Sequence, residues 1–210
     1  VVGLLFVAPV VLGTLVFDIA PIIVSFVAGF TQWDGINQPQ FVGLDNYIRL
    51  FTGDRLFKVS LVNTMTYSLA TIPLSILVGL FLAILVNDRW LSGLFKTMYF
   101  APHITSTIAI GVVWSCILAP GYGLLNNILA RVGIDGPAWL FSRTWAMPAV
   151  VMVSIWRTAG YNMVLYLAGL RGISQQYYEA AKIDGANSWH LFRYVTWPML
   201  TPTTLFLTIM

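Results

Sequence analysis

Cysteine occurs once in this chain of 210 residues and histidine twice, and charge of either sign is scarce, with Lys plus Arg at 11 and Asp plus Glu at 8. The lone Cys116, set in an apolar segment, excludes a disulfide framework and a thiolate metal site. It reads as a small buried hydrophobe. His103 and His190 have no second ligand at metal spacing, so both are expected to be interfacial or packing residues and no metal is assigned. A formal charge of +3 without any Lys/Arg run is too small and too dispersed for nucleic acid. Catalytic signatures are missing too. Lys96-Thr97 lacks the glycines of a phosphate-binding loop, and there is no HExxH, GxSxG or paired-carboxylate cluster. Nothing here builds an enzyme, and no basic n-region opens a cleavable signal peptide.

What the chain has is apolar surface. Hydrophobic residues make up 58% and charged ones 9%, against roughly 25% charged in a soluble domain. A soluble fold of this size could not hide that surface, so the solvent is lipid. A hydrocarbon core of ~30 Å needs about 20 helical residues to cross it. Four segments qualify: about Val1 to Phe30, Leu61 to Val86, Met98 to Leu118 and Ala146 to Leu170. A fifth starts at Pro198, but the residues up to Met210 reach only ~20 Å. The expectation is an all-α polytopic membrane bundle, a single domain over residues 1–210 that is a fragment at both ends. Pro9, Pro21, Pro73 and Pro102 imply kinks, which membrane helices tolerate.

The polar residues collect in the links. Asp45 or Asn46 is expected to cap a short helix over Tyr47 to Phe51, Gly53 to stop it, and Asp54 to cap the next. Pro120 to Trp145 is punctuated by Gly and Pro and ends in Trp139 and Trp145, suited to an interfacial belt. Charge does not orient the chain. With a cytoplasmic N-terminus, Arg49, Arg55, Lys58, Arg131 and Arg143 would lie outside and Arg89, Lys96, Arg171, Lys182 and Arg193 inside, an even division.

The link Arg171–Trp197 is a polar, helix-forming island between membrane-grade runs. Ser174 can cap a helix from about Gln175 to Asp184, since Glu179, Ala180, Ala181 and Lys182 are adequate or strong helix formers. Gly185 supplies the left-handed residue that ends it. Asn187 or Ser188 can cap a second short helix through Trp189, His190, Phe192, Arg193 and Tyr194. Pro198 suits the first turn of the following span. Two short helices on a glycine joint make a knob that a soluble partner could push; an interfacial linker lying on the bilayer is the plain alternative.

Glu179-Ala180-Ala181, three residues, Gly185, nine residues, then Val195-x-Trp197-Pro198 resembles the signature loop of binding-protein-dependent ABC importer permeases, most closely the maltose-type and glycerol-phosphate-type carbohydrate branch. Val195 and Trp197 stand where Ile and Leu are usual. Phe41-Val42-Gly43-Leu44-Asp45-Asn46-Tyr47 is similar to that branch's first outer loop, and Gly123-Leu124-Leu125-Asn126 with Trp139-Leu140 to its second. The resemblance extends over essentially the whole chain, with Tyr99-Phe100 before Pro102, and Trp156-Arg157, as weaker points. It implies a type I importer permease in a bacterial or archaeal inner membrane, with Arg171–Trp197 cytoplasmic. In it Glu179, Ala180, Ala181, Asp184, Gly185 and Pro198 would form the coupling loop. The implied partners are ABC ATPase subunits, which would carry ATP and magnesium, a second and related permease, and an extracytoplasmic solute-binding protein. The implied function is uptake of a sugar or sugar-like solute by alternating access.

Arg157 lies near the middle of the fourth span, where a charge costs roughly 2.5–3.5 kcal/mol on insertion scales and must face protein or a wet cavity. Ser154, Arg157, Thr158 and Tyr161 share one helical face and offer the donors, acceptors and flat ring that a sugar needs. They are the candidate substrate path. A structural Arg157, paired with a carboxylate such as Asp18 or snorkelling, is the alternative. Other solutes (amino acid, phosphate, peptide), an ion-gradient-driven carrier, and a structural membrane subunit without a path are the competing functions. A carrier would call for acids deep in several spans, and Asp18 alone qualifies.

Overall fold

The computed structural model describes residues 2–87 and 92–210. Arg89, one of the cations counted for orientation, lies outside the described residues. The chain divides into two compact units, Val1–Thr64 and Met65–Met210.

The first unit begins with an apolar rod. Helix α1 (Val2–Thr14) passes through a π turn, Leu15–Ile19, into α2 (Ala20–Ala28). The π turn precedes Pro21, whose ring would collide with the carbonyl four residues back in an α-helix. Widening the turn, with the Ala20 N–H bonded to the Leu15 carbonyl, relieves that collision. Asp18 sits inside this turn and is exposed. After the rod, β1 (Thr31–Gln32) pairs antiparallel with β2 (Gln40–Phe41), Thr31 opposite Phe41. Asp34 closes the loop between them, its Oδ1 accepting from the Asn37 and Ile36 N–H groups at 2.8 and 3.0 Å. These bonds, Asn37 first, hold its carboxyl below the usual carboxylate range.

Helix α3 spans Asp45–Thr52, and neither Asp45 nor Asn46 caps it. The N-cap is Leu44, without a side-chain bond. Asn46 instead donates to the carbonyls of Gly29 and Thr31 at 3.0 and 2.8 Å, tying the helix back to the rod's end. Two part-buried carbonyls, of Gly29 at the end of α2 and Thr31 in β1, outcompete one orphan N–H that water can reach. The expected cap at Asp54 is present, its Oδ1 accepting from the Phe57 N–H at 2.9 Å.

Helix α4 runs from Arg55 to Asn87, longer than the Leu61–Val86 segment expected. It and Phe6–Ala28 are the two described helices long and apolar enough to cross a membrane singly. The third expected span is two helices, α5 (Ser92–Ile104) and α6 (Thr107–Ile117), bent by 97° where they meet. Counted as one broken span, they make a third. The fourth, α8 (Ala146–Gly172), has ample length at 27 residues, but its polar positions lower its mean hydropathy. Between them α7 (Leu124–Arg131) is held by Asn126, which donates to the Pro137 carbonyl and accepts from Trp139 Nε1 at 2.6 Å. Trp139 also meets Trp145 edge to face. Cys116, read as a buried hydrophobe, is exposed on α6, because no described residue covers the side of α6 that carries it.

The core of the second unit lies where α4 and α8 meet the chain's last helices. Ile76, Leu80, Ala83 and Val86 from α4 pack with Met163, Tyr166 and Leu167 from α8 and with Leu200 and Leu207. Backbones come close where side chains are small, as membrane helix packing requires. Gly79 fits against Asn162, and Gly160 sits so near the Tyr99 carbonyl that any Cβ there would overlap it.

Candidate functional site

The island between α8 and the last helices folds as an elbow. Helix α9 covers Gln175–Ile183, with Ser174 as its N-cap. Gly185 ends it at φ +83°, a conformation that costs residues with a Cβ. The Gly185 and Ala186 N–H groups bond the Lys182 and Ala181 carbonyls, capping the last turn. Asn187 Oδ1 then accepts from the His190 N–H at 2.9 Å and starts α10 (Ser188–Leu191). The second arm departs from expectation at its C-terminal end. Only Ser188–Leu191 is α-helical; Phe192–Thr196 is a π turn, followed by α11 (Trp197–Met199). Pro198 sits in the first turn of α11, as expected, but α11 continues directly from the π turn instead of starting after a loop. As before Pro21, a widened turn precedes the proline, with the Trp197 N–H reaching the Phe192 carbonyl. A single irregular residue, Leu200, separates α11 from α12 (Thr201–Ile209).

The two arms are latched. A 3.0 Å hydrogen bond joins the hydroxyls of Tyr178 and Thr196, and Thr196 Oγ1 also lies 3.4 Å from the Leu191 carbonyl. This pair, at the inner side of the joint, was not singled out from the sequence. The only signal was the spacing of two hydroxyls on opposite sides of Gly185. At the joint's outer side Glu179, Ala180, Asp184 and Gly185 are exposed, Ala181 half-buried, and Pro198 exposed on the continuing helix. Ile183, Trp189 and Tyr194 are exposed by 86%, 66% and 71%, an apolar surface that no described residue covers. Trp189 leans on Phe192, and His190 on Tyr194.

Along α8 the structure places Ser154, Arg157, Thr158 and Tyr161 all half-buried. Ser154 Oγ donates to the Val150 carbonyl and accepts from the Tyr67 hydroxyl at 2.9 Å. Thr158 Oγ1 donates to the Ser154 carbonyl at 2.8 Å. Both hydroxyls have spent their protons on protein, so what remains at each is acceptor capacity. Arg157 supplies the opposite. Its buried Nε has no hydrogen-bond partner among the described residues, an unused donor on the same face. Tyr161 stacks on His103 with centroids 4.5 Å apart, and its hydroxyl reaches Met210 Sδ. His103 also has a buried Nδ1 without a partner among the described residues, and Phe100 adds a third ring. Tyr67 and His103 come from α4 and α5, distant in sequence, and no local pattern announced them.

Comparison with known proteins agrees in family and in fold. The family model described as "Binding-protein-dependent transport system inner membrane component" matches residues 75–210. The lactose transport system permease protein LacF of Rhizobium radiobacter is 39% identical, over 99% of this chain and 70% of its own length. The trehalose/maltose transport system permease protein MalF of Thermococcus litoralis is 33% identical over 97% of this chain and 69% of its own. Among solved structures, a chain of the bacterial alginate ABC transporter, crystallised in complex with alginate pentasaccharide-bound periplasmic protein, superposes with a TM-score of 0.80. It is 27% identical and covers 95% of this chain and 67% of that one.

Proposed function

The chain belongs to the family of binding-protein-dependent transport system inner membrane components, and on that premise we propose that it is the membrane-spanning subunit of an ATP-driven importer for a sugar or sugar-like solute. The relatives' own names support the solute class: lactose, trehalose/maltose and, for the solved transporter, alginate. ATP hydrolysis belongs to a separate ATPase subunit. A second permease completes the pore, and an extracytoplasmic binding protein delivers the solute.

The observation that carries the reading is the latched elbow. A soluble motor pressing on exposed Glu179 and the Ala180–Ala181 patch would move α9. The Tyr178–Thr196 bond passes that displacement directly into the helix that continues through Pro198 toward the packed core at Leu200 and Leu207. Gly185 lets the arms fold back on each other without strain. The face of α8 then serves as the path. Acceptors at Ser154 and Thr158, a donor at Arg157 and a flat ring at Tyr161 match a sugar's hydroxyls and its C–H face.

Uptake of labelled sugar by the complete assembly tests both parts. Gly185→Pro forces the joint out of its left-handed geometry and Glu179→Lys reverses the exposed charge. Each is expected to weaken ATPase association or uncouple transport while the permease still inserts. Arg157→Ala and Tyr161→Ala are expected to reduce uptake with expression and assembly unchanged. ATP-driven uptake at the wild-type rate in the first pair rejects the coupling role, and in the second pair the path.

A further inference from the structure

The elbow leaves space behind it. A cavity of about 740 Å³ lies in the angle between the end of α4, the end of α8 and the two arms. Arg171 and Lys182 both line it, and no carboxylate does so among the described residues. Neither cation makes a hydrogen bond or ion pair with another described residue. Gln175 and Ser188 add polar groups to the rim, while Ile84, Leu170 and Phe192 form an apolar wall. The latch between Tyr178 and Thr196 is part of the same lining.

We infer that this cavity binds the phosphate-bearing headgroup of an anionic phospholipid, with Arg171 and Lys182 as its charge contacts and the apolar wall taking the start of an acyl chain. Two cations in one concavity that no described residue compensates favour an anion. The depth fits a headgroup. Helices α4 and α8 exchange apolar for polar residues at this level, between Ile84 and Asn87 and between Leu170 and Arg171. A free phosphate ion would satisfy the cations but leave the wall of Ile84, Leu170 and Phe192 facing water. An acidic segment of a soluble protein would do the same. A lipid uses both surfaces. Seated there, it braces α9 against the end of α8, so the lipid composition of the leaflet would set the stiffness of the elbow.

The test uses the complete transporter reconstituted in nanodiscs of phosphatidylcholine alone or mixed with phosphatidylglycerol, with retained lipid counted by native mass spectrometry. The wild type is expected to retain phosphatidylglycerol in preference to phosphatidylcholine. Arg171→Gln and Lys182→Gln should each lower that retention about fivefold, and the double variant roughly 25-fold. Arg131→Gln, a cation outside the cavity, should leave it unchanged. Ser188→Trp keeps both cations and fills the cavity from its rim. It must lower retention by itself, which keeps the test decisive if the double variant fails to assemble. Equal retention by the wild type and these variants overturns the inference. So does displacement of the lipid by inorganic phosphate, which assigns the cavity to the free ion. Recovery of an ATPase subunit, and no phosphatidylglycerol, on photo-crosslinking from position 182 assigns it to a protein segment. Retention is read without transport, so its failure leaves the importer reading standing.

Discussion

Two long helical stretches, Phe6–Ala28 in the first unit and α8 in the second, treat burial in opposite ways. The rod has a mean hydropathy of 2.4 over its most apolar window and no buried residue there. Helix α8 is more polar, with Ser154, Arg157, Tyr161 and Asn162 along it, yet Ala159, Gly160, Asn162, Met163, Tyr166 and Leu167 are all buried. In water the more apolar helix is the one inside. Here the order is inverted, because lipid tails are as apolar as leucine and reward no burial of leucine against leucine. Small and polar residues mark contact with protein, and uniform apolarity marks the surface left for the bilayer or for another subunit. The charges follow the same division. Arg157 is half-buried on a face of hydroxyls, whereas Asp18 is exposed within a π turn.

The strongest way to break this comparison is Gly160→Val. A Cβ at position 160 would overlap the Tyr99 carbonyl and meet the Phe100 N–H at 2.9 Å, and both are backbone atoms that no rotamer change can move. Helix α5 would have to separate from α8, taking His103 off Tyr161 and dismantling the candidate path. The expected outcome is loss of assembled permease, read as the amount recovered in complex after mild detergent extraction. Wild-type recovery would show that α5 and α8 do not depend on backbone approach at this point, and α8 would no longer stand as the protein-facing helix.

How much of this was legible follows from the same physics. The elbow was readable nearly residue by residue, because caps and a left-handed glycine are local: Ser174, Gly185 and Asn187 each act within four residues of themselves. The two outer-loop motifs were recognisable as strings, but their purpose was not. Asn46 reaches back to Gly29 and Thr31, and Asn126 joins Trp139, through contacts that depend on where the chain returns. The bend between α5 and α6 was missed for a related reason. An apolar run reports length in lipid, and Thr105–Ser106 is too short an interruption to signal a 97° turn. Likewise the π turn before Pro198 gave no local signal, since proline suits a first helical turn and only the neighbouring carbonyls reveal the widened turn ahead of it.

A smaller effect sharpens the buried side. Tyr166 is fully buried and its hydroxyl donates to Thr204 Oγ1, which itself donates to the Leu200 carbonyl. Tyr166→Phe removes one hydroxyl and leaves the ring in place. Interhelical hydrogen bonds in membrane proteins average about 0.6 kcal/mol, so the midpoint of thermal aggregation should fall only slightly, with uptake retained. A collapse comparable to Gly160→Val would mean that the polar bond, rather than close packing, holds α8 to α12.

The smallest effect is expected where the same replacement is made in the rod. Gly13 has nothing within 4 Å of the position a Cβ would take, so Gly13→Val displaces no described atom. Valine adds apolar surface that inserts favourably, by roughly 0.3–0.6 kcal/mol at the centre of a span. It also removes some of the helix penalty of glycine. Accumulation, extraction and uptake are expected to match the wild type, giving the Gly160→Val and Gly13→Val pair opposite outcomes for one chemical change. If Gly13→Val instead lost the complex while inserting normally, the surface beside Gly13 would be packed by another protein chain. The rod would then be a subunit interface, and its apolarity would report a partner helix rather than lipid.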